Sequence, residues 1–184
     1  MLSFFKKKPK ETIPNAEIVS FEQMRNLIIE LNLPKTVLDL FEGKCEIEPL
    51  KQDFTYPYKI IDTSICQKHY LVNRYKPFLA DYYSDQIFAY DVITKKYITY
   101  SIELFNEDLK SWDSLFIGYI IALFEREKYS DNEIIEIGTL LGVKNVEIIL
   151  EERIKYEEKE LNYLESIEWR ESLVKYIDQI ENKE

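Results

Sequence analysis

The chain has a single histidine, His69, and two cysteines, Cys45 and Cys66. Covalent catalysis needs a nucleophile and a base within hydrogen-bond reach of each other. Cys66 precedes His69 by three residues, but His69 lies in KHYLV, a strand pattern. Side chains three apart on a strand point to opposite faces, so the two make no dyad and His69 reads as a sheet histidine. The cysteines lack Cys-x-x-Cys spacing and read as small apolar groups. A disulfide between them stays open, although nothing resembles the cysteine framework of a secreted scaffold.

Carboxylates are the other source of chemistry. Asp81 and Asp85 bracket the turn in PFLADYYSDQIFAYD. Such a pair could hold a cation or begin an acid–base couple. No glycine-rich loop is present to cradle a phosphate, and both acids read as turn residues. Glu147, Glu151, Glu152, Glu157, Glu158 and Glu160 crowd one helical stretch. A carboxylate metal site there would need facing Glu-x-x-His partners, which the sequence lacks. The run reads as a solvated face, or as a docking face for a basic partner. The expectation is no enzyme, no metal and no cofactor.

Tyr82, Tyr83 and Tyr97, beside Asp81 and Asp85, form the candidate partner-binding set. Tyrosine is enriched in interface hot spots, and neighbouring acids suit a basic protein surface. The competing reading is ordinary sheet-surface tyrosine.

The elements that must position these residues follow from composition and periodicity. The 184 residues fit one domain, 46% hydrophobic and 32% charged, with 14 Tyr, 10 Phe and 2 Trp for a core. The net charge is −10, of which −6 falls in residues 145–184. That balance repels nucleic-acid phosphate and serves solubility or a basic protein partner. Residues 1–19 read as a flexible basic tail. MLSFFKKKPK places its apolar residues before its basic ones, the reverse of a signal peptide. Phe4, Phe5 and the lysines make too short a segment for stable membrane association. The longest uncharged run, residues 114–124, falls short of the ~18–20 residues needed to cross a bilayer. Cytoplasmic residence is the expectation.

Ser20 and Gln23 form a capping box ahead of FEQMRNLIIELN. Leu33-Pro34 then breaks that helix and opens another, PKTVLDLFEG, ended by Gly43. Strands are expected at 56–61, 68–72, 77–80, 86–92 and 96–103. Both faces of 86–92 are largely apolar, as for a central strand covered on two sides. Pro57 and Pro77 belong at strand starts or edges. After residue 104 the chain reads as helix to its end. Ser111 caps WDSLFIGYIIALFERE, apolar almost all round and so expected at the centre. Ser130 with Glu133 caps a helix through Leu141, and Gly142 ends it. Asn145 caps VEIILEERIKYEEKELNYLES, with Ile154, Leu161 and Leu164 among its apolar positions. A last helix carries Trp169, Leu173, Tyr176, Ile177 and Ile180. The last two helices are expected to form an antiparallel hairpin.

The segment PFLADYYSDQIFAYDVITKKYITYSIE resembles a recurring stretch of the SUKH superfamily, bacterial toxin-immunity proteins with relatives among eukaryotic cell-wall-synthesis regulators. LNLPKTVLDLFEG is similar to that family's leucine-proline element, and SWDSLFIGYI to its tryptophan-bearing helix after the sheet. Where the family carries paired glycines, this chain has only Gly43. The resemblance covers residues 20–126; residues 127–184 read as helices packed on the same domain. It implies an α+β fold with a curved, antiparallel-rich sheet flanked by helices and no fixed catalytic residues. It also implies a binding protein that neutralises a cognate protein toxin, such as a nuclease. The alternative is a regulatory or scaffold protein docking through its acidic C-terminal helices.

Overall fold

A computed structural model describes residues 20–55, 74–81, 86–100, 108–157 and 163–181. Helix α1 (Phe21–Glu30) begins with the expected capping box: the Ser20 N–H donates to Gln23 Oε1 at 2.8 Å, and the Gln23 N–H donates to Ser20 Oγ at 3.2 Å. Met24 and Ile28 are buried, and Phe21 stacks on Phe41 of α2 (Lys35–Phe41), with ring centroids 4.9 Å apart. Pro34 opens α2, and Gly43, at φ +67°, ends its turn. A short α3 (Leu50–Asp53) runs directly into β1 (Phe54–Thr55). Neither was expected from the sequence, being too short for any period to register.

The sheet continues with β2 (Tyr75–Asp81), β3 (Ile87–Asp91), β4 (Lys96–Tyr100) and β5 (Asp108–Lys110). Every pair is antiparallel, and the spatial order is the chain order. This is an α+β fold. Pro77 is tolerated because β1 pairs only with Ala80 and Asp81, so no ladder bond to β1 is asked of it. The strands expected at 56–61 and 68–72, with Cys66 and His69, lie outside the described residues, as do residues 101–103. Strand β5 corrects the expectation of helix after residue 104: three residues pair with Tyr97–Thr99 before the helix cap at Ser111.

Alternation along β3 sends its side chains into two cores. Phe88 joins the main core with the helices, while Ile87 and Ala89 join Tyr75, Ala80, Ile98 and Tyr100 on the opposite face. The central strand is therefore buried on both sides, as its sequence suggested.

Helix α4 (Trp112–Glu125) packs against β4 and β5 and against all three later helices. Its apolar residues lie in the main core, with Phe116 stacked on Phe88 at 5.5 Å. Each such aromatic contributes about 1.5–3 kcal/mol by leaving water. Trp112 stacks on Phe78 at 5.8 Å and meets Tyr97 edge-on at 4.9 Å. Its indole N–H donates to the Leu141 carbonyl at 2.9 Å, tying α4 to the end of α5 (Asp131–Leu140). Gly142, at φ +76°, follows; a Cβ there would lie 2.5 Å from Pro34 Cγ. The Leu-Pro break, the tryptophan helix and the glycine stop are thus one packed junction.

Helix α6 (Val146–Glu157) buries Val146, Ile149 and Leu150. Helix α7 (Tyr163–Glu181) buries Leu173 and Ile177 in the same core, and its Trp169 lies 4.2 Å from Tyr156 of α6. Two sequence assignments change. Leu164 belongs to α7, whose start precedes the expected one, and it is 68% exposed. Ile154 is 41% exposed, so the buried stripe of α6 ends before it.

Candidate functional site

Helix α4 crosses the helix-facing side of the sheet and leaves a cleft of about 420 Å³ between itself, the strands and α7. Phe54, Phe88 and Leu115 form its apolar lining, and Gly118 leaves the α4 backbone uncovered beside it. Phe54 meets Phe88 at 5.8 Å and Tyr119 at 4.7 Å, so the lining is a rigid aromatic cluster. Asp53, at the end of α3, organises one rim. It accepts from the Tyr119 hydroxyl at 3.1 Å and from Arg126 through both terminal nitrogens at 2.6 and 3.0 Å. Burial, then the Asp53 charge, pushes the Tyr119 hydroxyl well above the usual phenol range. It is a fixed donor and no base. Asp81, Lys110 and Arg170 complete a rim of mixed charge.

Asp81 sits half-buried where β2 ends, and its N–H donates to the Gln86 carbonyl at 3.0 Å. Tyr82, Tyr83 and Asp85 lie outside the described residues. Tyr97 is not an exposed sheet tyrosine: it is half-buried between Phe78, Tyr90 and Trp112 on the helix-facing side. Burial, with Tyr90 and Glu181 nearby, raises its hydroxyl. Tyr97 pairs with Tyr90, four residues along β3 from Gln86, which is roughly 13 Å at ~3.3 Å per residue. Asp81 and Tyr97 therefore occupy opposite ends of the sheet. Of the expected set, Asp81 and Tyr97 are thus not brought together, because pattern alone cannot tell a half-exposed strand face from one roofed by a later helix.

Two further carboxylates are fully buried. Asp91 closes the β3–β4 turn. It accepts from Arg74 Nη2 at 2.8 Å, from the Ile93 N–H at 2.9 Å and from the Thr94 hydroxyl at 2.9 Å. Burial opposes its charge, but these bonds win and hold the carboxyl down at about 2. Asp113, in the first turn of α4, accepts from the N–H groups of Lys144 and Asn145 at 3.0 and 2.8 Å and from Asn145 Nδ2 at 2.7 Å. It caps the start of α6 from outside that helix. In sequence it looks like any acidic first-turn residue.

Arg153, 7% exposed, was hidden in the acidic run of α6. Its guanidinium lies 4.9 Å from the Tyr156 ring and 5.5 Å from that of Phe124. Its Nη2 reaches Glu157 at 3.1 Å and Glu125 at 3.3 Å. Among the described residues Nε and Nη1 have no hydrogen-bond acceptor and are enclosed, so the two rings add a cation–π contact to the carboxylate pairs at Nη2. The alternation of charge in EERIKYEE gives no hint of this. Glu147, Glu151 and Glu157 of the same helix are exposed, Glu152 is half-buried and pairs with Lys155 at 2.8 Å, and Glu158 and Glu160 lie outside the described residues.

Among the described residues, no three His, Cys, Asp or Glu side chains are arranged to hold a metal ion, and no helix is long and apolar enough to cross a membrane. Cys45 is a buried free thiol. No family model matches the chain, and neither the curated proteins nor the solved structures return a match to it.

Proposed function

We propose that this chain is a non-enzymatic binding protein that captures a basic protein partner, acting in the cytoplasm as an immunity protein that neutralises a cognate toxin. The observation that carries the reading is the division of its carboxylates. Asp53, Asp91 and Asp113 are committed to internal bonds, whereas Glu136, Glu147, Glu151, Glu168 and Glu171 are exposed on the three later helices. An acidic surface of this kind steers a basic partner and speeds its encounter. The elements that carry the family resemblance, the Leu-Pro helix, the strand of Phe78 and the tryptophan helix, share one core, which also supports the reading.

The test is co-expression with a cognate toxin, supplied as a basic protein that arrests growth when expressed alone. The chain is expected to restore growth, and Glu147→Lys with Glu151→Lys to slow association and flatten its dependence on salt. Equal killing with and without the chain would refute neutralisation. The scaffold reading is favoured by a different observation: Leu164, Ile167 and Tyr176 of α7 are 68%, 39% and 47% exposed. It expects Leu164→Lys to abolish partner binding and the chain to leave killing by a toxin unchanged. Deleting residues 145–184 would not separate the two readings, because Ile149, Leu150, Leu173 and Ile177 belong to the core.

A further inference from the structure

Helix α7 is fastened to the molecule at three places of different chemistry. Trp169 lies against Tyr156, Leu173 and Ile177 enter the core, and the last turn ends in two acids at the start of α4. There the Ser111 N–H donates to Asp178 Oδ1 at 3.0 Å and the Asp113 N–H donates to Glu181 Oε2 at 3.1 Å. The first amides of a helix have no intrahelical acceptor, so α7 supplies acceptors from a distance. The same turn already holds the Asp113 carboxylate, fully buried and bonded to the start of α6. Three carboxylates thus meet at one helix start, and Glu181 is half-buried among them.

We propose that the last turn of α7 is a proton-dependent latch, holding α7 on α4 most firmly when Glu181 is protonated and loosening as it ionises. The groups facing Glu181 are the Ser111 hydroxyl and the Asp113 amide and carboxylate from α4, Asp178 from α7 itself, and Tyr97 from β4. Lys110 and Lys144 stand beside this turn in the chain, next to Ser111 and at the Asp113 carboxylate. Burial is the largest influence on the Glu181 carboxyl; with the Asp113 and Asp178 charges it outweighs the two hydrogen bonds and moves the group upward. A neutral carboxyl still accepts from the Asp113 amide through its carbonyl oxygen, so protonation keeps the bond and removes the repulsion. A group raised in the folded state lends its full stabilisation below the ordinary carboxylate pKa and loses it as pH climbs through the raised value. The latch therefore weakens as pH climbs above the ordinary carboxylate range. Release would uncover Leu173 and Ile177 and widen the cleft that Arg170 and Val174 help to line.

Hydrogen exchange on the full chain at pH 5 and pH 7.5, corrected for intrinsic rates, tests this with peptides from α7, β3 and α4. The expected result is a several-fold loss of protection in α7 at the higher pH, with β3 unchanged. Glu181→Gln is expected to keep α7 protected at both values. Equal α7 protection in the wild type overturns the latch. So does the same pH response in Glu181→Gln, which would assign it to another group, or a parallel loss in β3, which would make the event global. Because Glu181→Gln keeps the shape and an acceptor, a fall in its melting temperature at pH 5 would equally count against the proposal.

Discussion

At the β3–β4 turn Asp91 is buried against a cation; at the start of α4 Asp113 is buried against amides, with Asp178 and Glu181 close by. Both sites withdraw a carboxylate from water, which is costly unless hydrogen bonds replace the lost hydration. The Asp91 site is closed within one hairpin and its Arg74 partner. The Asp113 site is assembled from α4, the α5–α6 connection and α7, so it exists only when three helices are in place. The neighbours decide the sign of the coupling to protons. A guanidinium holds Asp91 ionised, and burial with like charges favours the neutral form of Glu181. Acid therefore attacks the sheet end of the molecule and strengthens the helical end.

The largest expected effects break the two sides of this contrast. Asp113→Ala strands the Lys144 and Asn145 amides and the Asn145 side chain around a buried site, and is expected to cost about 2–3 kcal/mol, read from urea unfolding. Asp91→Ala is expected to cost about 2–3 kcal/mol, since Arg74 is only partly exposed and loses its partner. The pH dependence sharpens the comparison. Because Asp91 is held below its ordinary value, its stabilisation is complete above that value and disappears as pH falls through about 2. Urea midpoints between pH 5 and pH 2.5 should fall less steeply in Asp91→Asn than in the wild type. The smallest effect is local: Ser130→Ala removes the cap of α5 and is expected to cost about 1 kcal/mol by the same measurement.

The parts legible in the sequence are those with a local cause. The capping boxes at Ser20 and Ser130, the glycine stops at Gly43 and Gly142 and the two-sided burial of β3 all follow from near neighbours. The turn at residues 92–95 lacked a glycine, yet Asp91 and Thr94 supply its geometry through side-chain bonds, with Lys95 at φ +56°. An aspartate three residues before a threonine was the available signal. What escaped depends on distant segments. Tyr97 is covered by Trp112, β5 exists only because β4 offers an edge, and Arg153 is buried because Phe124 and Tyr156 flank it. Apart from Tyr156, three residues from Arg153, none of these partners lies within a helical turn of the residue it covers.

The chain-order sheet has a kinetic consequence. Every strand pairs with its immediate successor, so the ladder can zip outward from the tight β3–β4 ribbon, each step closing one loop. Among the described strands, sequence separation and with it closure entropy is smallest for that ribbon and largest between β1, which ends at Thr55, and β2, which begins at Tyr75. Pairing of β1 is then the last rung, while α1 and α2 pack on β2. The nucleus should lie in the hairpin and the helix that covers it, where truncating Phe88 or Phe116 would slow refolding more than it hastens unfolding.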